Sequence, residues 1–134
     1  MCTVTYVPSG DGFYLTSNRD ESLKRSKVDW PSDQTFNNYT LTYPKDVTGN
    51  GTWIAVDNRG NVVCLLNGAF QPHQRKEKYR HSRGLVVLGI FSFDSAENFY
   101  KNYDLHDIEP FTLVLVFNGK LFEFRWDGER KHLL

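Results

Sequence analysis

Short apolar runs closed by glycine turns constrain this chain more than any other feature. Cys2-Thr3-Val4-Thr5-Tyr6-Val7 is followed by the turn Pro8-Ser9-Gly10-Asp11-Gly12 and then by Phe13-Tyr14-Leu15-Thr16-Ser17. Residues 52–56 and 61–66 form a second pair around Asp57-Asn58-Arg59-Gly60, and residues 111–117 and 120–126 a third around Asn118-Gly119. Each pair reads as an antiparallel β-hairpin, and Asn-Gly is the strongest short turn signal. Pairing Val7 with Phe13 would set Cys2 opposite Asn18, within a side chain's reach of Arg19 and Asp20.

The intervening segments are of other kinds. Residues 20–50 read as polar and irregular, with a helical turn at 22–26, a turn at Trp30-Pro31-Ser32-Asp33 and loop at Asn37-Asn38-Tyr39. Ser82 is placed to cap a helix through Leu85 to Phe91. Asp94 and Glu97 have capping-box spacing ahead of a second helix to Tyr103, with Ala96, Phe99, Tyr100 and Tyr103 on one face. The nearly continuous apolar content of 52–66 implies strands buried on both faces, with Cys64 as a core thiol. Strands grouped before and after a helical segment give an α+β fold of antiparallel sheets with helices.

Composition narrows the function classes. Lys+Arg and Asp+Glu are both 16 among 134 residues, so net charge favours neither nucleic acid nor an anionic membrane surface as partner. No apolar stretch is long enough for an integral membrane segment, and no signal-peptide pattern opens the chain, so a cytoplasmic location with two reduced thiols is expected. His73 and His81 lack metal-ligand spacing with either cysteine, so no metal and no cofactor is expected. Residues 71–83 hold five Lys or Arg against one Glu. This basic loop reads foremost as a solvated excursion, and secondarily as a contact for an acidic substrate group, phosphate or membrane.

Cys2 is the candidate for chemistry. Removal of Met1 would leave it with an α-amine, a group that titrates near ~7.7–8.0 and can act as base for the thiol. A neighbouring guanidinium favours a thiolate, which points to Arg19, and the Asp20 carboxylate could orient the arginine or hold the amine. Residue types alone leave the plainer reading open: a small apolar residue beside a solvated ion pair.

Met1-Cys2-Thr3-Val4-Thr5-Tyr6 with Leu15-Thr16-Ser17-Asn18-Arg19-Asp20-Glu21 resembles the start of the NRDE family, which includes the transport and Golgi organisation protein 2 group. The resemblance continues through Gly51-Thr52-Trp53-Ile54-Ala55-Val56, Asn58-Arg59-Gly60 and Leu65-Leu66-Asn67-Gly68. NRDE proteins resemble N-terminal-nucleophile (Ntn) hydrolases of the cysteine branch that contains choloylglycine hydrolase and penicillin V acylase. That implies a four-layer αββα sandwich. The relatives are generally longer, so residues 1–134 would be a single domain or an incomplete portion of one, its N-terminal half. The remainder would then come from a missing C-terminal segment or a second chain.

The resemblance also implies a function. Cys2 would attack an amide, ester or thioester carbonyl as a hydrolase or acyltransferase, Asp20 would hold the α-amine, Arg19 would assist the thiolate, and Asn67 would help hold the oxyanion. Asn18 and Gly68 would border the substrate. The chain departs from the choloylglycine pattern at one point: there the arginine lies three positions before the aspartate, which corresponds to Ser17. The alternative is a non-catalytic lipid, haem or acyl-thioester carrier, or a trafficking factor, on the same scaffold.

Overall fold

A computed structural model describes residues 2–25, 27–36 and 38–134. Met1, Ser26 and Asn37, which bear on the processing step, the turn at 22–26 and the loop at 37–39, lie outside the described residues.

The first hairpin is β1 (Thr3–Ser9) with β2 (Gly12–Asn18). Its register pairs Thr3 with Asn18 and Val7 with Tyr14, one residue away from the Val7–Phe13 pairing expected from sequence. The difference arises in the turn. The strands run on to Ser9 and Gly12, and Gly10 at φ +56° closes the loop in two residues rather than five.

Among the described residues, seven further strands form one antiparallel sheet whose spatial order follows the chain: β3 (Ser32–Phe36), β4 (Tyr39–Tyr43), β5 (Ile54–Asp57), β6 (Val62–Asn67), β7 (Phe111–Phe117), β8 (Lys120–Trp126) and β9 (Lys131–Leu133). The second and third hairpins fall where the turn residues place them. Asn118 and Gly119 both have positive φ, 51° and 75°, as a two-residue turn between twisted strands requires. β3 and β4 correct the reading of residues 20–50 as irregular. Tyr39-Thr40-Leu41-Thr42-Tyr43 alternates, and Leu41 and Tyr43 enter the core while the threonines line the other face.

Between β6 and β7 lie α1 (Arg83–Gly89), a 3-10 turn (Ile90–Ser92) and α2 (Ala96–Asn102). Ser82 stands at the N-cap of α1 but does not cap it; its hydroxyl donates to the Gly49 carbonyl at 3.3 Å. Ser95, not Asp94, caps α2, accepting from the Asn98 N–H at 3.0 Å, while Asp94 accepts from the Asn98 side chain. The Lys131 ammonium donates to the carbonyls of Tyr100 and Tyr103 at the far end of α2.

The pleat sorts the sheet into two faces. Leu41, Ala55, Val63, Leu113, Leu115 and Phe124 face the helices and join Val86, Ile90, Phe91 and Phe99 in the core. On the opposite face β1 lies against β6. There Cys64 is fully buried. Burial on both faces, expected for residues 52–66, holds at Val63 and Cys64, but Val56 in β5 is exposed. The architecture is therefore α+β: helices, a seven-stranded antiparallel sheet, and a hairpin. No helix among the described residues is long and apolar enough to cross a membrane.

Candidate functional site

The end of β2 and the end of β6 meet beside Cys2. Its half-buried Sγ accepts the backbone N–H of Asp20 at 3.5 Å, so the chain just past β2 returns to the residue just before β1. Two cavities of about 480 Å³ each open at this point, and Cys2 and Asn67 line both. Successive residues divide between them: Asn18 and Arg19 border the first, Asp20 and Gly68 the second. The other five candidate residues thus line one or both of the cavities that Cys2 borders.

Arg19 is held by other groups than the thiol. Its guanidinium is 3.2 Å from Glu21 and 3.5 Å from Asp46, and its central carbon stands 4.1 Å from the centroid of Trp53. Arg25 closes the cluster, at 2.5 Å from Asp46 and 3.2 Å from Glu21. Burial pushes the Asp46 carboxyl up, but the Arg25 hydrogen bond, the N–H groups of Gly49 and Thr48, and the Arg25 charge together hold it below the usual carboxylate range. Asp46 also sits in a tight loop, donating its N–H to the Gly51 carbonyl and accepting from Asn50. The Gly51 backbone in turn crosses Gly84 so closely that a Cβ on Gly51 would fall 2.3 Å from the Gly84 carbonyl carbon.

The basic loop forms another wall of the first cavity, through Arg75, Lys76, Tyr79 and Arg83. The solvated-loop expectation holds in part, since Lys76 pairs with Asp107 and Arg80 with Asp104. Arg75, Arg83 and His73, however, converge on the single carboxylate of Glu109, at 3.8, 3.4 and 3.1 Å.

Asn67 is exposed at the end of β6, where it pairs with Phe111. The Gly68 N–H donates to the Pro110 carbonyl at 3.1 Å, and its own carbonyl accepts from Thr112 at 2.9 Å. Gly68 therefore contributes backbone shape to the second cavity while its polar groups serve the fold. Cys64 lies behind Cys2. Burial pushes its thiol up, a hydrogen bond from Ser17 works against that, and the charge of Cys2 adds to it. Both cysteines are free. No group of three or more metal-ligating side chains occurs among the described residues.

Asp46, Trp53, Arg83 and Glu109 were not anticipated as site residues. Trp53 and Arg83 lay within segments already singled out, while Asp46 and Glu109 carry no local signal and are delivered by loops distant in sequence.

The fold and the site define an α+β protein of the NRDE type, with its Asn-Arg-Asp-Glu segment folded back onto Cys2. The family model for Transport and Golgi organisation 2 matches residues 1–130, and the chain belongs to that family. No curated protein and no solved structure matches it.

Proposed function

We propose that this protein is an Ntn-type cysteine amidohydrolase or acyltransferase acting on an amide, ester or thioester. The observation that carries the reading is the position of Cys2: its sulfur accepts the Asp20 N–H and lies where two cavities meet, one on the Arg19 side and one on the Asp20 side.

In this mechanism, removal of Met1 frees the α-amine of Cys2. The amine takes the thiol proton as Sγ attacks the carbonyl carbon, and the carbonyl oxygen becomes an oxyanion facing Asn67. Collapse breaks the bond to the leaving amine, alkoxide or thiolate, which takes the proton from the ammonium. Water then attacks the thioester, loses a proton to the amine and releases the acid with return of the thiol proton. A different acceptor in place of water gives acyl transfer. Asp20 orients the amine. Arg19, braced by Glu21, Asp46 and Trp53, serves as a fixed charge at the cavity wall rather than as a direct partner of sulfur. The two-sided cover of the sheet is compatible with the inner layers of an αββα sandwich.

The family's transport and Golgi description favours a second reading, a carrier or trafficking factor on the same scaffold. Intact mass of untagged protein before and after brief alkylation at neutral pH separates the two. Loss of Met1 with rapid labelling of Cys2, followed by turnover in a screen of amides and thioesters, supports the enzyme. Retained Met1 removes the amine base and the hydrolase reading with it.

A further inference from the structure

We propose that Arg75 and Arg83 form a subsite for the anionic group of a small organic ligand, a carboxylate or phosphate, bound in the cavity that Cys2 borders. This deepens the Cys2 reading and rests on it for the orientation of the ligand toward sulfur.

Charge is unevenly balanced along the lining of this single cavity. On the Arg19 side two guanidiniums, Arg19 and Arg25, face two carboxylates, Glu21 and Asp46. On the Arg83 side the two guanidiniums of Arg75 and Arg83 face one carboxylate, Glu109. Guanidiniums stay charged at any working pH, so this wall carries positive charge that Glu109 alone does not offset. Glu77, the remaining carboxylate on the lining, is matched there by Lys76, and both are exposed.

The two arginines differ in a way that suits ligand capture. Arg83 is only 17% exposed, and it is fixed by Glu109 and by its 3.1 Å bond to the Pro110 carbonyl. Burial lowers its affinity for the proton, Glu109 opposes that, and the charges of Arg75 and Arg25 add to the lowering. An anion beside it would offset both the lost hydration of the guanidinium and the repulsion. Arg75 is 77% exposed and 3.8 Å from Glu109, a loose contact that an incoming anion can replace at little cost. The cavity, about 480 Å³, suits a small molecule rather than a polymer. Trp53, Tyr79 and Leu65 supply apolar surface in the same lining for the ligand's uncharged portion.

The test uses the full chain with inorganic pyrophosphate and, in parallel, glutarate, titrated by calorimetry at low ionic strength. At least one should bind and should slow alkylation of Cys2 by iodoacetamide; which of them binds more tightly identifies a phosphate or a carboxylate ligand. Arg75→Gln, at an exposed position, should weaken binding by about tenfold, and added salt should weaken it further. Glu109→Gln should tighten it, the opposite sign, which a loss of folding would not produce. Absence of binding by both anions, or an affinity that Arg75→Gln leaves unchanged, overturns the subsite. Should Cys2 resist alkylation while anion binding responds to Arg75→Gln, the nucleophile reading fails and the subsite stands. Should Cys2 alkylate rapidly with neither anion bound, the reverse holds.

Discussion

The Arg19 guanidinium lies 4.1 Å above the ring of Trp53, so the arginine of the Asn-Arg-Asp-Glu segment is seated on an aromatic face from β5's leading edge. Glu21 and Asp46 fix its rim at 3.2 and 3.5 Å. Ring and carboxylates together leave the guanidinium one orientation.

That seat is worth about 1 kcal/mol as a cation–π contact at a partly exposed site. Trp53→Leu keeps an apolar side chain but removes the π-face. The denaturation midpoint should fall by an amount corresponding to roughly 1–2 kcal/mol. Arg19→Lys in the Trp53→Leu background should then cost less than in the wild type. Strict additivity in that double-mutant cycle would show that the stacking carries no energy.

The crossing of Gly51 and Gly84 forms part of the wall of the first cavity. A methyl group on Gly51 meets backbone atoms, at 2.3 to 2.7 Å, that have no rotamer to escape into. Gly51→Ala should therefore destabilise by about 1–3 kcal/mol, the range for overpacking, or more if α1 must move. A melting temperature within a degree of the wild type would mean that the two backbones separate freely.

Much of the fold is legible in the sequence. Asn118-Gly119 marks its hairpin because few sequences accept positive φ twice in succession, and the β7–β8 pairing follows from it. The register of the first hairpin was less legible, since Pro8-Ser9-Gly10-Asp11-Gly12 holds several turn-forming residues and the strand pairing decides which of them close the loop. β3 is wholly exposed and, apart from Phe36, polar, so no core pattern announces it; it exists through its partner β4. In the site, Cys2, Arg19, Asp20 and Asn67 carry a family pattern. Asp46 and Glu109 are ordinary acidic residues in sequence. Their meaning comes from the arginines that the fold brings to them from 21 and 26 positions away, Arg25 and Arg83.

Acid should reveal a second carboxylate. Asp127 closes the β8–β9 turn, accepting the N–H groups of Glu129 and Arg130 and pairing with His132 at 2.8 Å. Burial pushes its carboxyl up, but the Arg130 N–H, the His132 side chain and the Glu129 N–H outweigh that and hold it at about 2. A depressed folded-state value means stability that is complete above the ordinary carboxylate range, near ~3.9, and is lost as pH falls toward about 2. Urea midpoints taken from pH 5 down to pH 2 should fall less steeply for Asp127→Asn than for the wild type. Parallel profiles would show that Asp127 titrates alike in the folded and unfolded chain.

Asn67 offers the sharpest separation of chemistry from folding. It is exposed at the last position of β6, borders both cavities with Cys2, and adds nothing to the apolar core. Asn67→Ala should leave the melting temperature nearly unchanged, as surface substitutions do within about 0.5 kcal/mol. If its amide meets the oxyanion, acylation of Cys2 by a p-nitrophenyl ester should slow by roughly 10²- to 10³-fold. Alkylation of Cys2 by iodoacetamide builds no oxyanion and should keep its rate. The contrast between the two reagents is the measurement: a parallel loss in both would mean that Asn67 positions or exposes the sulfur, and no loss in either would place the oxyanion elsewhere.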